Sequence, residues 1–156
     1  MFDFEKLSIY QKAKSYNKKV NHFLKATKLD RTTNDQLRRA SFSIMLNIAE
    51  GTGRFTKPDR RNFYIIARGS AFECVAIFDY LKDIEIINEE QFQVFYSDLE
   101  ELSKMLFAMI KNLITVIKTK GCPIWNSLFN FLKTNNYLLT TNLFVATIFP
   151  SASIAL

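Results

Sequence analysis

Gln36 to Arg54, QLRRASFSIMLNIAEGTGR, is the stretch that most limits what this chain can fold into. It reads as one short helix, apolar nearly all the way round from Ala40 to Ala49. It ends at Gly51, the residue type that accepts a left-handed C-terminal conformation. A helix without a polar face is normally the most buried element of its fold, so the rest of the chain has to cover it. Ser41, Ser43, Asn47 and Glu50 then need partners inside the protein or at its rim. Four Gly and three Pro in 156 residues favour long helices over a turn-rich all-β fold, and the length suits one domain with a real core.

Three further helices are predicted around this one. From about Phe4 to Lys28, Ile9, Ala13, Tyr16, Val20 and Phe23 form a seam at heptad spacing. Thr33 with Gln36 reads as a capping box for the organising helix. Thr56, Pro58 and Asp59 open the third helix, whose seam is Phe63, Ile66, Ser70, Ile77, Leu81 and Ile84. Gly69-Ser70 in its middle is expected to let the organising helix approach closely. Asn88 with Gln91 opens the fourth, where Phe92, Phe95, Leu99, Leu102, Leu106, Met109, Leu113 and Val116 step by three and four without a miss. Phe107, Ile110, Ile114 and Ile117 widen that stripe, which either another subunit or the tail would cover. The expected fold is all-α: an antiparallel up-down four-helix bundle over 1–120, followed by a poorly defined apolar C-terminal extension over 121–156. From Pro123 onward only Lys133 is charged, and the pattern has no helical period.

The net charge of +6 is unevenly spread. Residues 1–68 carry 15 basic against 6 acidic side chains, a net +9, and residues 69–110 carry 2 against 9, a net −7. That asymmetry suits an acidic partner or head-to-tail contact between copies. Lys12, Lys14, Lys18, Lys19 and Lys25 lie largely off the first seam, as a solvated face or as a strip for phosphates. Arg54, Lys57, Arg60, Arg61 and Arg68 cluster by sequence around the next junction, able to clamp phosphate or pair with acids of a neighbouring copy. Charges beside long apolar runs need partners, so Arg38 or Arg39 is expected to join Glu73 in a buried polar network with Asn47 and Glu50 close by.

Signals for catalysis are weak. His22 is the one histidine, no nucleophile–base set can be assembled around it, and Cys74 and Cys122 make neither a metal pattern nor a disulfide framework. No enzyme, cofactor or metal is expected. Gly51-Thr52-Gly53-Arg54 lacks the preceding strand and the following Lys-Ser/Thr of a nucleotide loop. The N-terminus lacks the apolar core of a leader and no long apolar run is present, so a cytoplasmic protein without a membrane span is expected.

QLRRASFSIMLNIAEGTGR followed by IARGSAFE, with FEKLSIYQKA at the start, resembles the four-helix-bundle family encoded in intervening sequences of bacterial 23S ribosomal RNA. That family also carries the label S23 ribosomal protein, although it is not a ribosomal component. The chain is similar too to the accessory protein of diversity-generating retroelements, which works beside their reverse transcriptase. The likeness covers roughly residues 2–118. It departs at Ile44-Met45-Leu46-Asn47, where the family has a Pro within SIPSN. The resemblance implies an antiparallel bundle assembling as a ring-shaped homopentamer, without established catalytic activity. The function expected is a non-enzymatic scaffold binding RNA or DNA with weak sequence preference. The alternative is a protein-interaction module, such as a reverse-transcriptase accessory protein, without nucleic-acid affinity of its own.

Overall fold

After one 3-10 turn at Asp3–Lys6, the chain forms α1 (Ser8–Ala26), α2 (Arg31–Gly53), α3 (Lys57–Asp83) and α4 (Glu89–Thr119). These come from a computed structural model, which describes residues 1–119, with side chains through Ile114. The extension over 121–156 lies outside the described residues.

Local chemistry explains where the helices begin and end. The Asp30 carboxylate accepts the Thr33 N–H at 3.0 Å, and the Thr33 hydroxyl first, then this N–H, hold the carboxyl below its ordinary range. The expected box at Thr33 and Gln36 therefore falls inside α2, because an acid three residues earlier already satisfies the first turn. At α3 the Thr56 hydroxyl accepts the Asp59 N–H at 3.2 Å, with Pro58 in the first turn, as expected. At α4, Asn88 and Gln91 exchange side-chain-to-backbone bonds of 2.8 and 3.1 Å. α3 closes with Ile86 N–H on the Leu81 carbonyl at 2.9 Å and Glu85 N–H on that of Lys82 at 3.0 Å. Glu85 sits at φ 60° there, the left-handed position usually given to glycine.

Pairs across the helices give their order and sense. Ser43 of α2 meets Ser70 of α3, and Gly51 lies against Tyr64, so residue numbers fall on one helix as they rise on the other. Lys12 meets Glu101, and Phe23 meets Phe95, so α1 and α4 run oppositely. Arg68 meets Ser103, and Phe78 stacks on Phe95 at 4.1 Å between centroids, which sets α3 against α4. Asn17 meets Ser41 between α1 and α2. Each helix thus packs on its sequence neighbours, and α4 closes back on α1: an up-down-up-down bundle.

The core is one cluster drawn from all four helices. Ile9, Ala13, Tyr16 and Val20 of α1 and Phe92, Phe95, Leu99, Leu102 and Leu106 of α4 are buried where the heptad spacing puts them. α3 differs from expectation. Its buried side is Tyr64, Ala67, Ser70, Ala71, Cys74, Phe78 and Leu81, while Ile66 and Ile84 are exposed. Apolar residues surround so much of this helix that its stripe is ambiguous in sequence; the buried one is rotated to face the bundle axis.

α2 also departs from expectation in three ways. It is longer than predicted and runs past Gly51 to Gly53, without interruption at Met45-Leu46. Its apolar girth is not matched by burial, because Phe42 and Leu46 stand exposed on the outer side. The close approach to α3 is made at Gly51 rather than at Gly69. A Cβ on Gly51 would lie 2.7 Å from Cε1 of Tyr64, whereas one on Gly69 would meet nothing within 4 Å. Of the expected pair only Ser70 faces α2, its hydroxyl 2.8 Å from that of Ser43.

Tyr16 and Cys74 meet in the core. Burial pushes the Tyr16 phenol well up and the Cys74 thiol up to about 12. The phenol finds no nitrogen or oxygen partner among the described residues; its polar neighbour is the weakly bonding thiol. Among the described residues no helix is long and apolar enough to cross a membrane.

Two outcomes are expected in urea melts. Gly51→Ala forces a methyl against the Tyr64 ring and should cost about 1–3 kcal/mol, while Gly69→Ala, on an exposed helix interior, should gain up to about 1 kcal/mol. Equal effects at the two glycines would contradict the packing described. Secondly, the unfolded chain releases the thiol proton near pH ~8.5 while the folded chain holds it, so the native state binds more protons. Stability should therefore fall as pH rises from about 9 towards 12, by at most about 1.4 kcal/mol per pH unit for this group. Cys74→Ala should leave only the part due to Tyr16, starting about one unit higher.

Candidate nucleic-acid interface

The basic residues singled out in the sequence divide into three groups in space. Lys12 and Lys19 turn towards α4, where their ammonium groups meet Glu101 at 3.0 Å and Asp98 at 2.5 Å around a cleft of about 160 Å³. Both pairs are about half exposed, so they register α1 on α4 more than they stabilise it. Lys14 and Lys18, with Lys25 one to three turns along, lie on the opposite, outer side of α1. All three are exposed and make no ion pair or hydrogen bond with the described residues. Two of the five off-seam lysines thus pair with acids, and the outer three have no acid partner among the described residues.

The second group sits where α2 passes into α3. Arg54 pairs with Glu50, and its guanidinium lies 4.4 Å from the centre of the Phe63 ring. Arg60 donates to the Arg54 carbonyl at 2.9 Å. The Nε atoms of Arg60 and Arg61 are buried without a partner, and Lys57 is exposed and unpaired among the described residues. Residues 54–61 carry four basic side chains and one acid, Asp59, whose carboxylate accepts the Thr56 hydroxyl. At the far end of the bundle, residues 79–90 carry one basic side chain against five acids. The α2–α3 junction is therefore basic and the α3–α4 junction acidic, at opposite ends of the bundle, with Lys25, Lys28 and Arg31 of the α1–α2 connection at the second end.

Arg68 stands apart, two turns up α3. Its guanidinium lies 4.6 and 5.4 Å from the Phe72 and Phe107 ring centres, and Nε donates to Ser103 at 3.2 Å. It works as a strap between α3 and α4.

The expected polar network also resolves into separate contacts. Arg38 pairs with Asp35 at 2.5 Å, Glu50 with Arg54, and Asn47 donates to the Ser43 carbonyl at 2.8 Å. Arg39 and Glu73 face one groove of about 260 Å³ between α2 and α3, with Gln36, Ser43 and Ser70. Both are exposed, and neither has an ionic partner among the described residues. Beneath this groove Ser43 and Ser70 join α2 to α3, and nearer the junction the Thr52 hydroxyl lies 3.4 Å from that of Tyr64.

One feature escaped the sequence reading. Phe55, fully exposed in the linker between α2 and α3, lies amid Arg54, Lys57, Arg60 and Arg61. Its signal was an apolar ring in a charged linker outside any seam. Further apolar side chains, Ile65, Ile66, Phe72 and Tyr80, are exposed along α3, with Phe107 beside them on α4.

The separation of Arg39 from Glu73 predicts the result of a double-mutant cycle. Arg39→Ala and Glu73→Ala should lose stability additively, with a coupling under about 0.5 kcal/mol. A coupling of several kcal/mol in denaturant melts would restore the buried network.

Residues 5–108 match the family model described as 23S rRNA-intervening sequence protein. The fold is similar to a crystal structure of a protein of unknown function from the S23 ribosomal protein family of Bacteroides thetaiotaomicron. The two are 24% identical with a TM-score of 0.62, over 66% of this chain and 98% of that one. Among curated proteins none matches. The chain belongs to the 23S rRNA-intervening sequence protein family.

Proposed function

We propose that this member of the 23S rRNA-intervening sequence family is a non-enzymatic, oligomeric scaffold that binds RNA or DNA through phosphate contacts, in the cytoplasm. The observation that carries the reading is the outer side of α1, where Lys14, Lys18 and Lys25 stay exposed without an acid among the described residues. Lys12 and Lys19 show the contrast: the same residue type, about a third of a turn round the helix, is paired with acids of α4. The basic end at 54–61 adds a second patch. Such charges bind polyanions by releasing counterions and carry little sequence information.

The nucleophile inventory supports a non-catalytic role. Cys74 is buried with its thiol pushed up to about 12, which keeps it protonated and unreactive, and His22 stands exposed on α1. Ile65, Ile66, Phe72 and Phe107 offer an apolar surface suited to another subunit, and the resemblance suggests five copies in a ring. A ring would repeat the lysine row and raise avidity without new contacts. The same exposed side chains favour a second reading, a protein-interaction module of the reverse-transcriptase accessory kind.

Fluorescence anisotropy with duplex DNA, structured RNA and single strands at low salt tests the proposal. Log affinity should fall linearly with log salt, and Lys14→Gln with Lys18→Gln should lower the slope on duplex by about 2, at ~0.9 per phosphate. No binding to any of the three would leave the interaction module as the better reading.

A further inference from the structure

Phe55 is mounted rather than merely exposed. On one side the Arg54 carbonyl is held by the Arg60 guanidinium at 2.9 Å, and the Arg54 side chain is tied down by Glu50 and the Phe63 ring. On the other side Thr56 is fixed by its cap to Asp59. Both neighbours of Phe55 are therefore anchored, while its own ring touches nothing that covers it. Leaving a Phe ring in water forgoes the burial that normally places it inside. In sequence it stands among four basic residues, and the one acid of that stretch, Asp59, accepts the Thr56 hydroxyl.

We propose that Phe55 is a stacking post for one unpaired nucleobase, with Lys57, Arg60 and Arg61 holding the phosphates on either side of it. The inference rests on the nucleic-acid reading above and deepens it, because it selects single-stranded or looped segments over regular duplex. A paired base offers no free face to a protruding ring, whereas an unpaired one stacks on it whatever its identity. Anchored neighbours reduce the ordering cost of that contact. Arg60 is held beside the linker by its bond to the Arg54 carbonyl, and Arg61 follows it in sequence with its Nε buried and unpartnered among the described residues. An anionic membrane surface is the rival occupant, but between Thr52 and Arg61 only Phe55 and Pro58 are apolar, too little for a stable interfacial anchor.

The test uses the full chain with fluorescein-labelled oligothymidylate of about 12 nucleotides, an abasic strand of the same length, and a duplex. Phe55→Ala should weaken oligothymidylate binding about 5- to 100-fold, the range for losing one stacked base, and leave the abasic strand and duplex within about twofold. Phe55→Trp should retain or strengthen binding. An equal loss on the abasic strand, or no loss on oligothymidylate, overturns the stacking post while leaving phosphate binding intact. No binding of the parent protein to any strand defeats the broader reading together with this one. A Phe55→Ala defect confined to phosphatidylserine vesicles, or a changed mass in light scattering, would assign the ring to a membrane or to a second copy and overturn the proposal.

Discussion

The spacing between α2 and α3 is the constraint on which the other contacts depend. It is set at Gly51, where the absence of a side chain lets the Tyr64 ring lie against the backbone, and at Ser43 and Ser70, whose hydroxyls meet at 2.8 Å. With these two helices so close, Ile44, Ile48, Ala67 and Ala71 fill the space between them, and small residues suffice. The larger rings are then left for the other side of the bundle. Phe23, Phe78 and Phe95 pack there between α1, α3 and α4, with centroids 4.1 to 5.6 Å apart. A wider α2–α3 contact would leave those rings without a closed partner set, because cores tolerate neither voids nor overlap at the scale of a methylene.

Seams with one polar side were legible in the sequence. In α1 and α4 the heptad residues Ile9 to Val20 and Phe92 to Leu106 are the buried ones, and short caps at Thr56 and Asn88 mark the starts of α3 and α4. What could not be read came from helices that are apolar on more than one side. In α3 the exposed Ile66 and Ile84 compete with Tyr64 and Phe78 for the same pattern, and only packing chooses between them. In α2 the outer Phe42 and Leu46 made the helix look more central than it is.

Charges were harder still, since sequence fixes their number but not their partners. Lys12 and Lys19 are indistinguishable in composition from Lys14 and Lys18, yet a rotation of about a third of a turn decides which pair meets an acid. Glu73 was expected to answer an arginine, but at the rim of the α2–α3 groove water serves it as well. The family motif at Arg38 and Arg39 therefore frames a surface rather than a buried lock.

The opposed charges of the bundle's two ends give the molecule an electric moment along its axis. α3, which runs between them, is 27 residues long, about 40 Å at ~1.5 Å per residue. That is several times the screening length of about 8 Å in physiological salt. A polyanion nearing the basic tip would thus scarcely sense the acidic one, and the repulsion expected from a polar object is erased by intervening ions. In dilute salt the screening length grows and the whole moment acts, turning the protein end-on before contact. Orientation on approach becomes a property that ionic strength can switch, separate from how tightly the docked molecule is held.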